Sequence, residues 1–182
     1  MKFAYRGLWK VISGGQCGGD AGGLAAAFDA GLVTGGHCPA DWRTDRGPQP
    51  LLKQFGLVCT ASPDYPDRTR LNIKNSDGTI IFGRNFGSPG TILTWNECKK
   101  TGKPVMKVST DIGSSELFGD NIQQTIYNIV DFIKDNQISV LNVAGNRDKG
   151  LSTEVHDMTH LFLDATFQGL DELNLLIRDS DL

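Results

Sequence analysis

Residues 13–39 read SGGQCGGDAGGLAAAFDAGLVTGGHCP, and this stretch decides the fold. Just ahead of it, Leu8–Ser13 (LWKVIS) predicts a strand running into Gly14 and Gly15. Asp20 stands where a helix N-cap belongs. Leu24, Ala27 and Phe28 recur at helical spacing, and Gly31 is placed to stop the helix. Val33 and Thr34 begin a second strand that ends in Gly35 and Gly36. Nine of the chain's 22 glycines fall between Gly14 and Gly36. Without a Gly-X-Y repeat, so dense a local cluster implies that backbone must come close to something.

The same grammar continues along the chain. Asp41 to Tyr65 is rich in Pro, Asp, Gly and Arg and reads as a long surface loop, with a short helical turn from Thr69 to Asn75. A Ser76-Asp77-Gly78 turn introduces an apolar strand, Thr79–Phe82. The stretch Gly83–Gly90 then opens a helix at Thr91, with Ile92 and Trp95 on one face and a stop at Gly102 before Pro104. Val105–Val108 is another strand. Asp120 with Gln123 resembles a capping box, ahead of an apolar stripe of Ile122, Ile126, Ile129, Val130 and Ile133. Ile138–Ala144 is a strand ending in Gly145-Asn146-Arg147, and a last helix runs from about Ser152 to Phe167. Strands alternating with helices predict a three-layer α/β, Rossmann-like domain with a mainly parallel sheet. We expect one such domain over residues 1–168 and an acidic tail over 169–182.

Composition narrows the function classes. Hydrophobic residues make up 39% of the 182 and charged residues 21%, which is too apolar for disorder. Eighteen basic against 21 acidic residues leave a net charge of −3, and no Lys/Arg stripe appears, so a nucleic-acid polymer is not an expected partner. The apolar runs are too short for a membrane span. The start, MKFAYRGLWKVISGG, carries neither an apolar signal core nor a small-residue cleavage site, which predicts a cytoplasmic protein. Cys17, Cys38, Cys59 and Cys98 form no CxxC pair and are read as free thiols rather than metal ligands or disulfides. His156 and His160 have the i, i+4 spacing of zinc motifs, but no third ligand accompanies them and we expect no metal.

Three loops share one design: an apolar strand, then glycine and small polar residues, then a helix start. They are Ser13–Gly18, Gly83–Thr91 and Ala144–Arg147. A parallel sheet gathers such loops at its C-terminal edge, where open α/β sheets bind ligands. Free N–H groups at helix N-termini suit phosphate there, and Arg147, with Arg84 or Arg43, could clamp it. The residues expected at a ligand are Ser13, Gly14, Gly15, Gln16, Cys17, Gly18, Asp20, Gly35, Gly36, Asp77, Gly90, Thr91, Thr94, Gly145, Asn146 and Arg147. Neither G-x-G-x-x-G nor a P-loop occurs in these loops, which argues against an ordinary NAD enzyme or P-loop NTPase.

At Ser13-Gly14-Gly15-Gln16, Gly18, Asp20, Gly35-Gly36 and Cys38-Pro39 the chain resembles the molybdenum carrier family, a circularly permuted branch of the SLOG superfamily. Tyr65-Pro66 with Arg68-Thr69, Gly90-Thr91 with Thr94, and Leu141–Gly145 with Arg147 extend the likeness over about residues 8–165. The resemblance implies a Rossmann-like fold and a nucleotide or nucleotide-derived ligand. By the family's name, the ligand would instead be molybdenum cofactor or molybdate. It also implies a homodimer or higher homo-oligomer. Some relatives cleave a base from nucleoside monophosphates with a Glu in a P-G-G-x-G-T-x-x-E loop, but here Thr94 holds that place. A binding protein is therefore the expectation. The alternative is an N-glycosidic bond hydrolase using Asp20, Asp77 or Glu97. Ala21, Gly22 and Gly23 replace bulkier residues of the family pattern, as if to leave room for ligand.

Overall fold

The computed structural model of the chain describes residues 5–111 and 118–182, the side chains of 118–120 excepted. Six parallel strands form the central sheet: β1 (Lys10–Ser13), β2 (Val33–Cys38), β5 (Leu57–Cys59), β6 (Gly78–Gly83), β7 (Val105–Ser109) and β8 (Val140–Gly145). Their order is β5-β2-β1-β8-β6-β7. The register sets Val11 beside Leu141 and Ile80 beside Val143. A short antiparallel hairpin, β3 (Arg43–Thr44) with β4 (Gly47–Pro48), stands apart from the sheet.

Helices cover both faces, as buried parallel strands require. On one face, α1 (Gly19–Asp29), α4 (Phe118–Asp135) and α5 (Glu154–Glu172) pack on Val11, Ile80, Phe82, Leu141 and Val143. The α4 stripe enters this core through Ile129, Val130 and Ile133, flanked by Ile122 and Ile126. The other face carries α2 (Tyr65–Lys74) and α3 (Pro89–Lys100). There the sheet is partly polar: Asn142 on β8 donates to Thr79 on β6 at 3.1 Å, so both groups are satisfied while buried. Gly22 and Gly23 serve packing rather than ligand room. A Cβ on Gly22 would lie 2.4 Å from the His156 carbonyl oxygen of α5, and one on Gly23 2.4 Å from Val143.

Several expectations are corrected. The stretch 41–65 is no plain loop, since it holds the β3–β4 hairpin, a 3-10 turn over Pro50–Phe55 and the edge strand β5. The turn at 69–75 is the end of a longer helix, α2, whose Pro66 suits the first turn. Asp20 does not cap α1; Gly18 does, with Asp20 inside the first turn. Gly35 and Gly36 lie within β2. Helix α3 begins at Pro89, and its Ile92 is exposed. Asp120 falls inside α4, and its capping side chain lies outside the described residues. Helix α5 continues to Glu172, past the expected tail boundary. Beyond it, Leu8 donates to the Leu175 carbonyl at 2.8 Å and Arg178 pairs with Asp171, which ties this segment to the body.

Candidate functional site

The carboxyl ends of β1, β6 and β8 open on a cavity of about 1080 Å³. Eight of the expected residues line it: Gln16, Asp20, Gly90, Thr91, Thr94, Gly145, Asn146 and Arg147. The loop after β1 supplies Gln16, the first turn of α1 supplies Asp20, the end of β8 and the loop after it supply Gly145–Arg147, and α3 supplies Gly90, Thr91 and Thr94.

Asp20 is the hub of the floor. Its carboxylate is 2% exposed and accepts the Gln16 and Gly145 backbone N–H groups at 3.3 and 3.1 Å. The Arg68 guanidinium completes it at 3.0 Å. So fully engaged a carboxylate holds charge and geometry in place, and it is poorly suited to act as a base. Asn146 knits the other side: its amide accepts from the Asn85 backbone N–H at 2.7 Å and donates to the Asn85 carbonyl at 2.9 Å. It also donates to the Thr91 hydroxyl at 3.2 Å. Among the described residues no side chain caps α3, whose N-cap is Ser88, so this helix presents uncapped N–H groups at the cavity.

The remaining expected residues lie beside the cavity or away from it. Ser13 is fully buried and donates to the Val143 carbonyl at 2.6 Å, tying β1 to β8. Gly14 clears space for Arg68, because a Cβ there would sit 1.6 Å from the guanidinium. Gly15 packs against Leu52 and Leu57, and Gly18 against the Asn146 carbonyl. Cys17 points its thiol at the Asp148 carbonyl, and burial pushes its pKa up. Gly35 and Gly36 contribute to β2 and not to the cavity lining. Asp77 is a correction. It precedes β6, at the opposite edge of the sheet, where its carboxylate accepts from Ser139 and Val140 N–H at 3.0 and 2.8 Å. Glu97 pairs with Arg70 at 3.7 Å and does not line the cavity.

Sequence reasoning missed much of the cavity's wall. Tyr65 and Arg68 come from α2, and Asp45 and Arg46 from the β3–β4 hairpin. Arg84, which the sequence did offer as a clamp, lines the cavity and pairs with Glu154 at 2.7 Å. The Tyr65 ring has the Arg147 guanidinium 4.7 Å from its centre, with Arg43 and Arg68 at 5.6 and 5.9 Å. Asp148 caps α5 by accepting from Val155 and His156 N–H at 2.8 and 3.1 Å. His156 and His160 are paired instead with Asp157 and Asp29. Among the described residues no group of His, Cys, Asp and Glu could hold a metal ion. No described helix is long and apolar enough to cross a membrane.

The fold has a known counterpart. The structure resembles that of a "putative molybdenum carrier protein" from Syntrophus aciditrophicus SB, with a TM-score of 0.77 and 28% identity over 88% of this chain and 96% of that one. No curated protein matches the chain. Residues 11–167 match the circularly permutated YpsA SLOG family. With nearly the whole sheet and all three loops inside that match, the chain belongs to the circularly permuted YpsA SLOG family.

Proposed function

We propose that the protein is a binding protein for a phosphate-bearing nucleotide or nucleotide-derived small molecule, acting as a carrier, sensor or sponge. One observation carries this reading: three strand-to-helix loops converge on a cavity of about 1080 Å³ lined by Arg46, Arg68, Arg84 and Arg147. Uncapped N–H groups at α3 and several guanidiniums are donors for an anion. The volume is at the upper end of ordinary small-molecule sites, far more than a bare oxyanion fills. Molybdate alone therefore fits poorly. A molybdenum-bearing cofactor with its own phosphate would use the same donors; the similar structure is named only as a molybdenum carrier.

A hydrolase reading finds little support. Thr94 spends its hydroxyl on the Gly90 carbonyl at 2.9 Å, Asp20 is engaged by three donors, and Glu97 lies off the cavity. Calorimetric titration with AMP, ADP-ribose and molybdate, beside native mass spectrometry of the purified protein, tests the proposal. Binding of a nucleotide without release of free base is the expected result. Released base would establish hydrolysis, and binding of molybdate alone would overturn the nucleotide reading.

A further inference from the structure

Asp45 occupies an odd place. It belongs to the β3–β4 hairpin, which is no part of the main sheet, yet its carboxylate reaches into the cavity wall. There it collects three donors from three separate elements. Gln16 donates its side-chain amide at 3.3 Å from the loop after β1. Tyr65 donates its hydroxyl at 3.2 Å from α2. Arg147, from the loop after β8, forms a direct ion pair with it. An amide, a phenol and a guanidinium converging on two oxygens make an anion receptor, and here its guest is a residue of the chain itself.

The contrast with Asp20 matters. Asp20 is buried and held by two backbone N–H groups in addition to Arg68. Asp45 and Arg147 are 39% and 45% exposed, and a pair so open to water is weak and screened by salt. A phosphate oxyanion carries more charge than a carboxylate and presents more acceptor oxygens to the same fork. Two further contacts hold the hairpin: the Asp45 backbone N–H donates to the Gln16 side-chain oxygen at 3.0 Å, and across the cavity mouth the Arg46 side chain donates to the Ser152 carbonyl at 2.8 Å.

We propose that Asp45 is a built-in competitor of the ligand: it holds the Gln16, Tyr65 and Arg147 donors until an anionic group of the ligand displaces it and frees the hairpin. This rests on the phosphate-ligand reading above and adds to it a regulated mouth. A ligand must supply an anion able to outcompete a carboxylate, which selects phosphate esters and diphosphates over neutral nucleosides.

The test is calorimetric titration of ADP and of inorganic pyrophosphate into the wild-type protein and Asp45→Asn, with amide hydrogen exchange over residues 43–48. Asp45→Asn keeps the shape and removes the charge. The expected result is affinity about 3- to 10-fold tighter in the variant, which corresponds to about 0.7–1.4 kcal/mol. Added ADP also raises hairpin exchange in the wild type. If the wild type binds and the variant binds equally or more weakly, Asp45 orients Arg147 instead and the inference is overturned while the site reading stands. If neither protein binds either probe, the phosphate reading itself falls, and the inference with it.

Discussion

The Asp20 carboxylate and the Arg68 guanidinium meet at 3.0 Å, in space left open only because Gly14 has no side chain. Twenty residues into the chain and again at residue 68, two charges are thus committed to each other beneath the cavity. Replacing Arg68 with Met would leave Asp20 buried with two N–H donors and no countercharge. We expect Arg68→Met to lose about 3 kcal/mol of stability, at the low end for a broken buried pair. A lower urea midpoint at unchanged slope is the readout, and pairing it with Asp20→Asn should restore part of the loss.

Arg147 presents a half-exposed guanidinium that faces both Asp45 and Tyr65. Arg147→Ala should weaken ADP binding by about 1–3 kcal/mol, the range for a lost hydrogen bond to a charged group. Its folding midpoint should barely move, because the pair it leaves is exposed. Unchanged ADP affinity would remove Arg147 from the site.

Gly36 has φ +122°, and a Cβ on it would lie 2.2 Å from the backbone oxygen of Ser13. Both strain and collision act against any side chain there. Gly36→Ala should cost about 3 kcal/mol or more. Gly102 also has positive φ, at +68°, but nothing within 4 Å. Gly102→Ala should cost only about 1–2 kcal/mol, so the difference between the two variants isolates the contact between neighbouring strands β1 and β2.

Cys38 lies fully buried with its sulfur 3.5 Å from that of Cys59, and burial pushes the thiol from 9.0 up to about 12, helped by the bond to Cys59. The folded protein holds this proton more tightly than the unfolded chain does. Its contribution is therefore complete below about pH 9 and is lost as pH rises towards about 12. Between pH 8 and 10.5 the wild type should lose about 1–2 kcal/mol more stability than Cys38→Ala. Parallel urea curves at the two pH values measure this, and equal losses would refute it.

The sequence made the sheet's centre legible and its periphery opaque. Leu8–Ser13 announced β1, residues 13–39 announced α1 and β2, and the apolar runs at 79–82 and 138–144 announced β6 and β8. Burial on both faces leaves no doubt about such strands. By contrast β5 is three residues long inside a Pro- and Asp-rich stretch, so turn chemistry masked it. Helix α2 has no apolar stripe to betray it, for its buried side chains are Thr69, Asn72 and Ile73. Asn72 is held by two hydrogen bonds to the His37 backbone instead. That hid Arg68 and Tyr65, whose place at the cavity depends on a helix that composition disguises. Asp77 was misplaced for a plainer reason. It comes before its strand, and in a parallel sheet that assigns it to the edge opposite the loops.

Strand β8 has a further consequence. It pairs with β1 on one side and β6 on the other, and without it β5-β2-β1 and β6-β7 share no hydrogen bonds. Every other strand of the sheet is made on the ribosome before it. During synthesis the two half-sheets must therefore wait, with the open edges of β1 and β6 unsatisfied, until residues 140–145 emerge to zip them together. Closure is a single late, long-range event. A chain stopped short of residue 140 would be two sticky fragments joined by a linker, rather than a smaller version of this protein.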